Sequence, residues 1–175
     1  MASWASRSQF YNILNNLASE KLGLTVDALG ACGGEGGAEV SSRREKRFTH
    51  SWHDDAVVSY RDYQFVIAFE NVIEPRYVTE KITNAMLANS VAIYWGTEDV
   101  KKVFNEKSFI YCNEGELVEC AERVISIYLN KNALMEMVGE DFGVSEEVLK
   151  DEFGYLQHAD ARVNVQLKDA LLKTR

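Results

Sequence analysis

Between Tyr63 and Ile110 the chain reads YQFVIAFENVIEPRYVTEKITNAMLANSVAIYWGTEDVKKVFNEKSFI, and the order of apolar and polar residues in this stretch leaves few folds open. Gln64 to Phe69 is an apolar run of strand length that stops abruptly at Glu70-Asn71, where side chains able to hydrogen-bond a ligand begin. Val78 to Leu87 follows, with Val78, Ile82, Ala85 and Met86 at helical spacing on one face, as a helix laid on a sheet requires. Glu80 and Lys81 fall off that face. Ser90 to Tyr94 and Ser108 to Tyr111 read as two more strands, and helices beyond Glu116 continue the alternation. Alternating β and α elements predict an α/β, doubly wound parallel sheet. In such sheets ligands collect outside the carboxyl ends of the strands, which is where Glu70 and Asn71 stand.

The flanking sequence is less constraining. Gln9 to Lys21 carries Phe10, Ile13, Leu14 and Leu17 as a helical stripe, and Leu24 to Leu29 reads as a short strand. Gly30 to Gly37 holds five glycines, but it lacks both the Gly-Lys-Ser/Thr ending of a P-loop and the Gly-x-Gly-x-x-Gly spacing, so it reads as a surface loop. A helix is expected from Ser51 to about Tyr60. Residues 140–175 read as a helical C-terminal extension.

Length bounds the organisation: 175 residues with 46% apolar content build one core, so residues 1–175 are expected to form a single domain. The balance of 19 basic against 27 acidic residues, net −8, argues against a general nucleic-acid binder, which needs a basic surface to neutralise phosphates. The one basic cluster, Arg43-Arg44-Glu45-Lys46-Arg47, reads as a solvated loop. No apolar stretch is long enough to span a bilayer, and Met1-Ala2-Ser3-Trp4 lacks the charged and apolar regions of a signal peptide. Cys32, Cys112 and Cys120 give an odd count without Cys-x-x-Cys spacing, so buried thiols are expected in place of a zinc site or disulfide framework. His50 and His53, near Asp54 and Asp55, lack a convergent third ligand, so no metal site is predicted.

The segments Tyr63-Gln64-Phe65, Phe69-Glu70-Asn71, Tyr77-Val78-Thr79-Glu80-Lys81, Ile93-Tyr94-Trp95-Gly96 and Phe104-Asn105-Glu106-Lys107-Ser108-Phe109-Ile110 closely resemble the donor-binding signature of glycosyltransferase family 10, the α-1,3/4-fucosyltransferases. Upstream, Arg7-Ser8-Gln9-Phe10 and Val26-Asp27-Ala28-Leu29-Gly30-Ala31-Cys32 resemble two further blocks of that family, in the same order. Fixed spacing among Asn71, Tyr77, Glu80 and Lys81 makes the match far more specific than a lone glycine motif. The resemblance implies the Rossmann-like C-terminal half of a GT-B enzyme, binding GDP-fucose, with the N-terminal acceptor domain absent. It also implies an inverting, α-1,3-type transfer to a glycan or glycoprotein acceptor, no required cofactor, and a Golgi membrane location.

That chemistry gives the candidate residues their roles. As the bond to the anomeric carbon breaks, negative charge grows on the departing diphosphate; a helix N-terminus with a lysine in its first turn suits such an anion. Lys81 fits that place, and the resemblance makes Arg7 the second cation, able to clamp phosphate oxygens. Glu80 would repel phosphate, so its expected partners are sugar hydroxyls. The resemblance carries Asn71, Tyr77 and Glu70 onto the donor pocket as well. Catalytic assistance is expected from Glu80 and Lys81, with the general base in the acceptor domain. Three positions depart from the family pattern: Ala92 replaces a frequent proline, Val72 a small polar residue, and Glu74-Pro75-Arg76 is a bulky version of a usually small loop. Two functional classes fit: the donor domain of a fucosyltransferase, or a stand-alone or vestigial nucleotide-sugar binding module without transferase activity.

Overall fold

The computed structural model describes residues 2–28, 52–145 and 148. In chain order the elements are α1 (Ala2–Leu22), α2 (Trp52–Tyr60), β1 (Phe65–Phe69), α3 (Glu80–Leu87), β2 (Val91–Trp95), α4 (Val100–Val103), β3 (Phe109–Tyr111), α5 (Leu117–Leu129) and α6 (Lys131–Gly139). The strands form a parallel sheet in the order β1-β2-β3, with Phe65 opposite Val91, Phe69 opposite Trp95, and Ala92 opposite Phe109.

A parallel sheet is stable when both faces are covered, and side-chain alternation assigns each face its cover. Phe69, Val91, Ile93, Trp95 and Ile110 point to one side, where they pack with Phe10, Leu14 and Ala18 of α1, with α5, and with Leu134 of α6. The rings of Phe10 and Phe69 lie 4.7 Å apart, and those of Phe69 and Trp95 5.8 Å apart. Val66, Ala68, Ala92, Tyr94 and Phe109 face the other way, against Ile82, Ala85 and Met86 of α3 and Val100 of α4. Burying each large side chain of this kind contributes roughly 1.5–3 kcal/mol. The helical face read from Val78, Ile82, Ala85 and Met86 is therefore the packing face of α3, and Ala92 is an ordinary core residue.

α3 ends in a Schellman motif: Asn89, at φ 59°, donates to the Met86 carbonyl, and Ser90 donates to that of Ala85. This turn delivers the chain directly into β2.

Three expectations are corrected. Residues 24–28 are not a strand: Val26 N–H donates to Asn15 Oδ1 and its carbonyl accepts from Tyr11, so α1 side chains satisfy a backbone that no sheet pairs. Cys112 and Cys120 are not free thiols but a disulfide, because the end of β3 and the start of α5 bring their Cα atoms to 5.4 Å. The segment from Glu140 to Ser145 is not helical. It runs back along α4, with Gly143 bridged to Phe104 and Val144 N–H donating to Val103. The glycine-rich stretch, the Arg43–Arg47 cluster, Cys32, His50, the His53 side chain, and residues 146, 147 and 149–175 lie outside what is described. Among the described residues, no helix is long and apolar enough to cross a membrane.

Candidate functional site

The carboxyl edge of β1 and β2 gathers the sequence-predicted residues. Glu70 prolongs β1 by donating its N–H to the Trp95 carbonyl. Beyond it the chain leaves the sheet, and the carbonyls at the strand end are met by Arg7 of α1. Arg7 Nη2 donates to Phe69 O (3.1 Å), to Glu70 O (3.3 Å) and to Asn71 Oδ1 (2.8 Å). Two residues far apart in sequence, Arg7 and Asn71, are thereby joined.

The loop from Asn71 to Tyr77 is exposed along most of its length, with Val72 and Ile73 open to solvent. Arg76 holds φ at 63°, a costly conformation for a side chain of its size. Its N–H donates to Asp99 Oδ2 at 2.8 Å, and Asp99 also takes a bond from Lys102. The Lys102 contact first, then that backbone bond, hold the Asp99 carboxyl below the usual range. Thus a residue of the turn after β2 fixes the backbone one step before Tyr77.

α3 then starts at Glu80, with Thr79 as an extended N-cap whose hydroxyl makes no cap bond to its own helix. That hydroxyl donates instead to Glu70 Oε2 (2.7 Å), while Thr79 N–H donates to Glu70 Oε1 (2.7 Å). Lys81 Nζ donates to Glu70 Oε2 (3.0 Å) and to Thr79 Oγ1 (2.8 Å), with its side chain 27% exposed. Glu80 is exposed; its charge, after burial, contributes to raising the Tyr60 pKa.

Arg7, Asn71, Tyr77, Thr79, Glu80 and Lys81 line one cleft. Glu70 does not line it, being fully buried behind Thr79 and Lys81. Beneath Glu70 lies the Tyr94 hydroxyl, buried and without a hydrogen bond of ordinary geometry. Burial above all, and then the neighbouring Glu70 carboxylate, hold that phenol well above its usual pKa. Among the described residues no three His, Cys, Asp or Glu side chains converge as metal ligands would. The arrangement offers a cation, a helix N-terminus and a carboxylate side by side, a set suited to an anionic ligand bearing hydroxyl groups.

Sequence reasoning assigned no role to Thr79, Gly96 or Asp99. Thr79 stood inside the Thr-Glu-Lys motif, which was a usable signal; Asp99 acts across the fold and left none.

Residues 1–137 match the pattern described as glycosyltransferase family 10 (fucosyltransferase) C-term. A protein of Acanthamoeba polyphaga mimivirus, named as an inferred fucosyltransferase, is 33% identical over 138 residues, covering 69% of this chain and 22% of its own length. The Helicobacter pylori alpha-(1,3)-fucosyltransferase FucT is 36% identical over 80 residues, 45% of this chain and 17% of its length. The chain thus spans about a fifth of the curated relatives it matches. Among solved structures, an alpha1,3-fucosyltransferase with GDP superposes with a TM-score of 0.63 at 23% identity, covering 93% of this chain and 43% of that one. An alpha1,3-fucosyltransferase with GDP-fucose gives 0.60 at 23%, covering 91% and 46%. The fold is the α/β, Rossmann-like architecture of GT-B glycosyltransferases. The chain belongs to glycosyltransferase family 10, the fucosyltransferases.

Proposed function

We propose that this chain is the donor-binding part of an inverting fucosyltransferase, holding GDP-L-fucose while the sugar passes to a glycan or glycoprotein acceptor in an α-1,3 linkage. In this proposal the place of action is the Golgi membrane and the process is protein glycosylation. The observation that carries the reading is the placement of Lys81 in the first turn of α3, on a cleft it shares with Arg7, Asn71, Tyr77 and Glu80, within the family's matched span.

An ammonium has three N–H donors, and Glu70 and Thr79 take two of those on Lys81. The third goes to a diphosphate oxygen, where the helix N-terminus adds its own partial positive charge. Charge that develops on the leaving GDP is met there, so Lys81 lowers the barrier by favouring the transition state over the ground state. Arg7 sets the position of Asn71 and adds positive potential at the strand end. Glu80, an acceptor only, takes hydrogen bonds from ribose or fucose hydroxyls, and Tyr77 walls the pocket. With two cations and a helix N-terminus supplying countercharge, no metal or other cofactor is required.

The test is calorimetric titration of the chain with GDP, GDP-fucose and GDP-mannose, with and without EDTA. Affinity is expected to survive the chelator. Lys81→Ala is expected to weaken GDP and GDP-fucose alike by roughly 1.5–3 kcal/mol, one charge-assisted hydrogen bond. Glu80→Gln is felt through hydroxyl recognition instead. Binding abolished by EDTA and restored by manganese, or equal affinity in the wild type and Lys81→Ala, would overturn the reading.

A further inference from the structure

We infer that Glu70 is a positioning residue, which fixes Lys81 and the first turn of α3 for an anionic ligand that it does not itself touch. The inference rests on the proposed donor reading of the same cleft and assigns the device that makes it work.

Burial is the first observation. Glu70 is 0% exposed and absent from the cleft lining, so a ligand in the cleft meets Lys81 and Thr79 and not the carboxylate behind them. Both carboxylate oxygens are already engaged, Oε1 by Thr79 N–H and Oε2 by the Thr79 hydroxyl and Lys81. A carboxylate is accommodated in the interior only when its oxygens are paired in this way.

The helix start gives the second. In a capping box the residue three places into the helix reaches back to the N-cap N–H. Here that residue is Ile82, buried in the core, so nothing within α3 performs the task. Glu70 performs it from β1. Because the Thr79 hydroxyl is also drawn to Glu70, it does not cap its own helix, and the first-turn N–H groups are left to a ligand.

Room supplies the third. A Cβ on Gly96 would lie 2.9 Å from Glu70 Cγ and 2.5 Å from the Tyr94 hydroxyl, so the stem of Glu70 is wedged over a position only glycine fits. The carboxylate has one place to be, and Lys81 inherits that precision.

Charge makes the inference testable, because the two accounts of Glu70 differ in sign. Were Glu70 merely a nearby negative charge, removing it would strengthen the binding of an anion. As a positioning residue, its removal weakens binding.

The experiment measures dissociation constants of the full 175-residue chain for GDP and for guanosine, which lacks the phosphates. Glu70→Gln is expected to weaken GDP about tenfold, the scale of one charge-assisted hydrogen bond, while guanosine changes by less than about twofold. Unchanged or tighter GDP binding overturns the inference. So does an equal loss for both ligands, which would mark a purely structural role. Where Glu70→Gln does not fold, Thr79→Val decides: it keeps the N–H bond to Glu70 but removes the hydroxyl that donates to Glu70 and accepts from Lys81. It is expected to weaken GDP selectively, with Thr79→Ser restoring the affinity; unchanged GDP affinity in Thr79→Val would overturn the inference. Lys81→Ala in the same series separates the layers. If Lys81→Ala binds GDP normally, the donor reading itself fails; if it weakens GDP while Glu70→Gln and Thr79→Val do not, only the role of Glu70 fails.

Discussion

Tyr94 is the one buried side chain under the site whose polar atom finds no partner among the described residues. Its ring is well used, set edge-on to Phe109 at 6.3 Å and tilted on Tyr111 at 6.2 Å. The hydroxyl is not. An unsatisfied buried hydroxyl carries its full desolvation cost, so Tyr94→Phe is expected to leave stability unchanged or raise it by up to about 1 kcal/mol. Urea unfolding would check this, and a loss above about 1 kcal/mol would mean that the hydroxyl bonds Glu70 after all. The same residue shapes the alkaline limit. Burial and then the Glu70 charge raise the folded-state pKa of Tyr94, so the folded protein disfavours the phenolate. The sign follows from linkage: a raised pKa gives stability that is complete below the unfolded value, near 10, and is lost as pH climbs through the folded one. Stability of the wild type should therefore fall more steeply above about pH 10 than that of Tyr94→Phe.

At the scale of elements, the disulfide is the clearest test of how a distant contact shapes the fold. It ties the end of β3 to the first turn of α5, on the face where α5 packs α1. Closing so short a loop removes unfolded-state entropy worth about 2–3 kcal/mol. Replacing both cysteines by alanine should lower stability by about that amount, and a reductant should lower the melting temperature of the wild type but not of the double variant. Identical melting of the wild type with and without reductant would mean the link does not form. No sequence signal announced this bond, since a spacing of eight is neither a metal motif nor a framework. By contrast β1, α3 and β2 were legible to within a residue or two. Gln64–Phe69 is observed as Phe65–Phe69, Val78–Leu87 as Glu80–Leu87, and Ser90–Tyr94 as Val91–Trp95. Those elements carry their own periodicity, and the partners that bury them come next in the chain. Residues 24–28 misled because their apolar pattern is used against α1 instead of a strand, and the return of Glu140–Ser145 along α4 depends on contacts that no local pattern encodes. The candidate site divides the same way. Lys81 and Glu80 were legible from the Thr-Glu-Lys order at a helix start, whereas the burial of Glu70 and the grip of Asp99 on Arg76 arise only when β1, β2 and α3 stand side by side.

The whole molecule carries a net charge of −8, yet the proposed ligand is itself an anion. Arg7, Lys81 and the α3 N-terminus must therefore act at short range, where partial burial keeps their field from being screened, against a long-range repulsion that salt does screen. That arrangement holds a donor; it does not by itself move the sugar. Transfer also needs a base to deprotonate the acceptor hydroxyl and a surface to aim that hydroxyl at the anomeric carbon. Among the described residues the cleft is lined by three carboxylates, Glu80, which the proposal commits to donor hydroxyls, and Asp27 and Asp62, to which it assigns no role, and the chain covers less than half of the solved alpha1,3-fucosyltransferases. Orientation alone supplies roughly 7–11 kcal/mol of a barrier, so a donor site lacking an acceptor platform should lose nearly all turnover while keeping its affinity. These 175 residues on their own are accordingly expected to bind GDP-fucose and to form no appreciable fucosylated product, with slow hydrolysis to free fucose as the residual reaction, since water needs no platform. Incubation with radiolabelled GDP-fucose and N-acetyllactosamine-type acceptors, followed by separation of products, measures both. Robust fucosylated product would place a working base among these residues, with Glu80, Asp27 and Asp62 of the cleft the first to substitute, and would move the catalytic assignment into this chain.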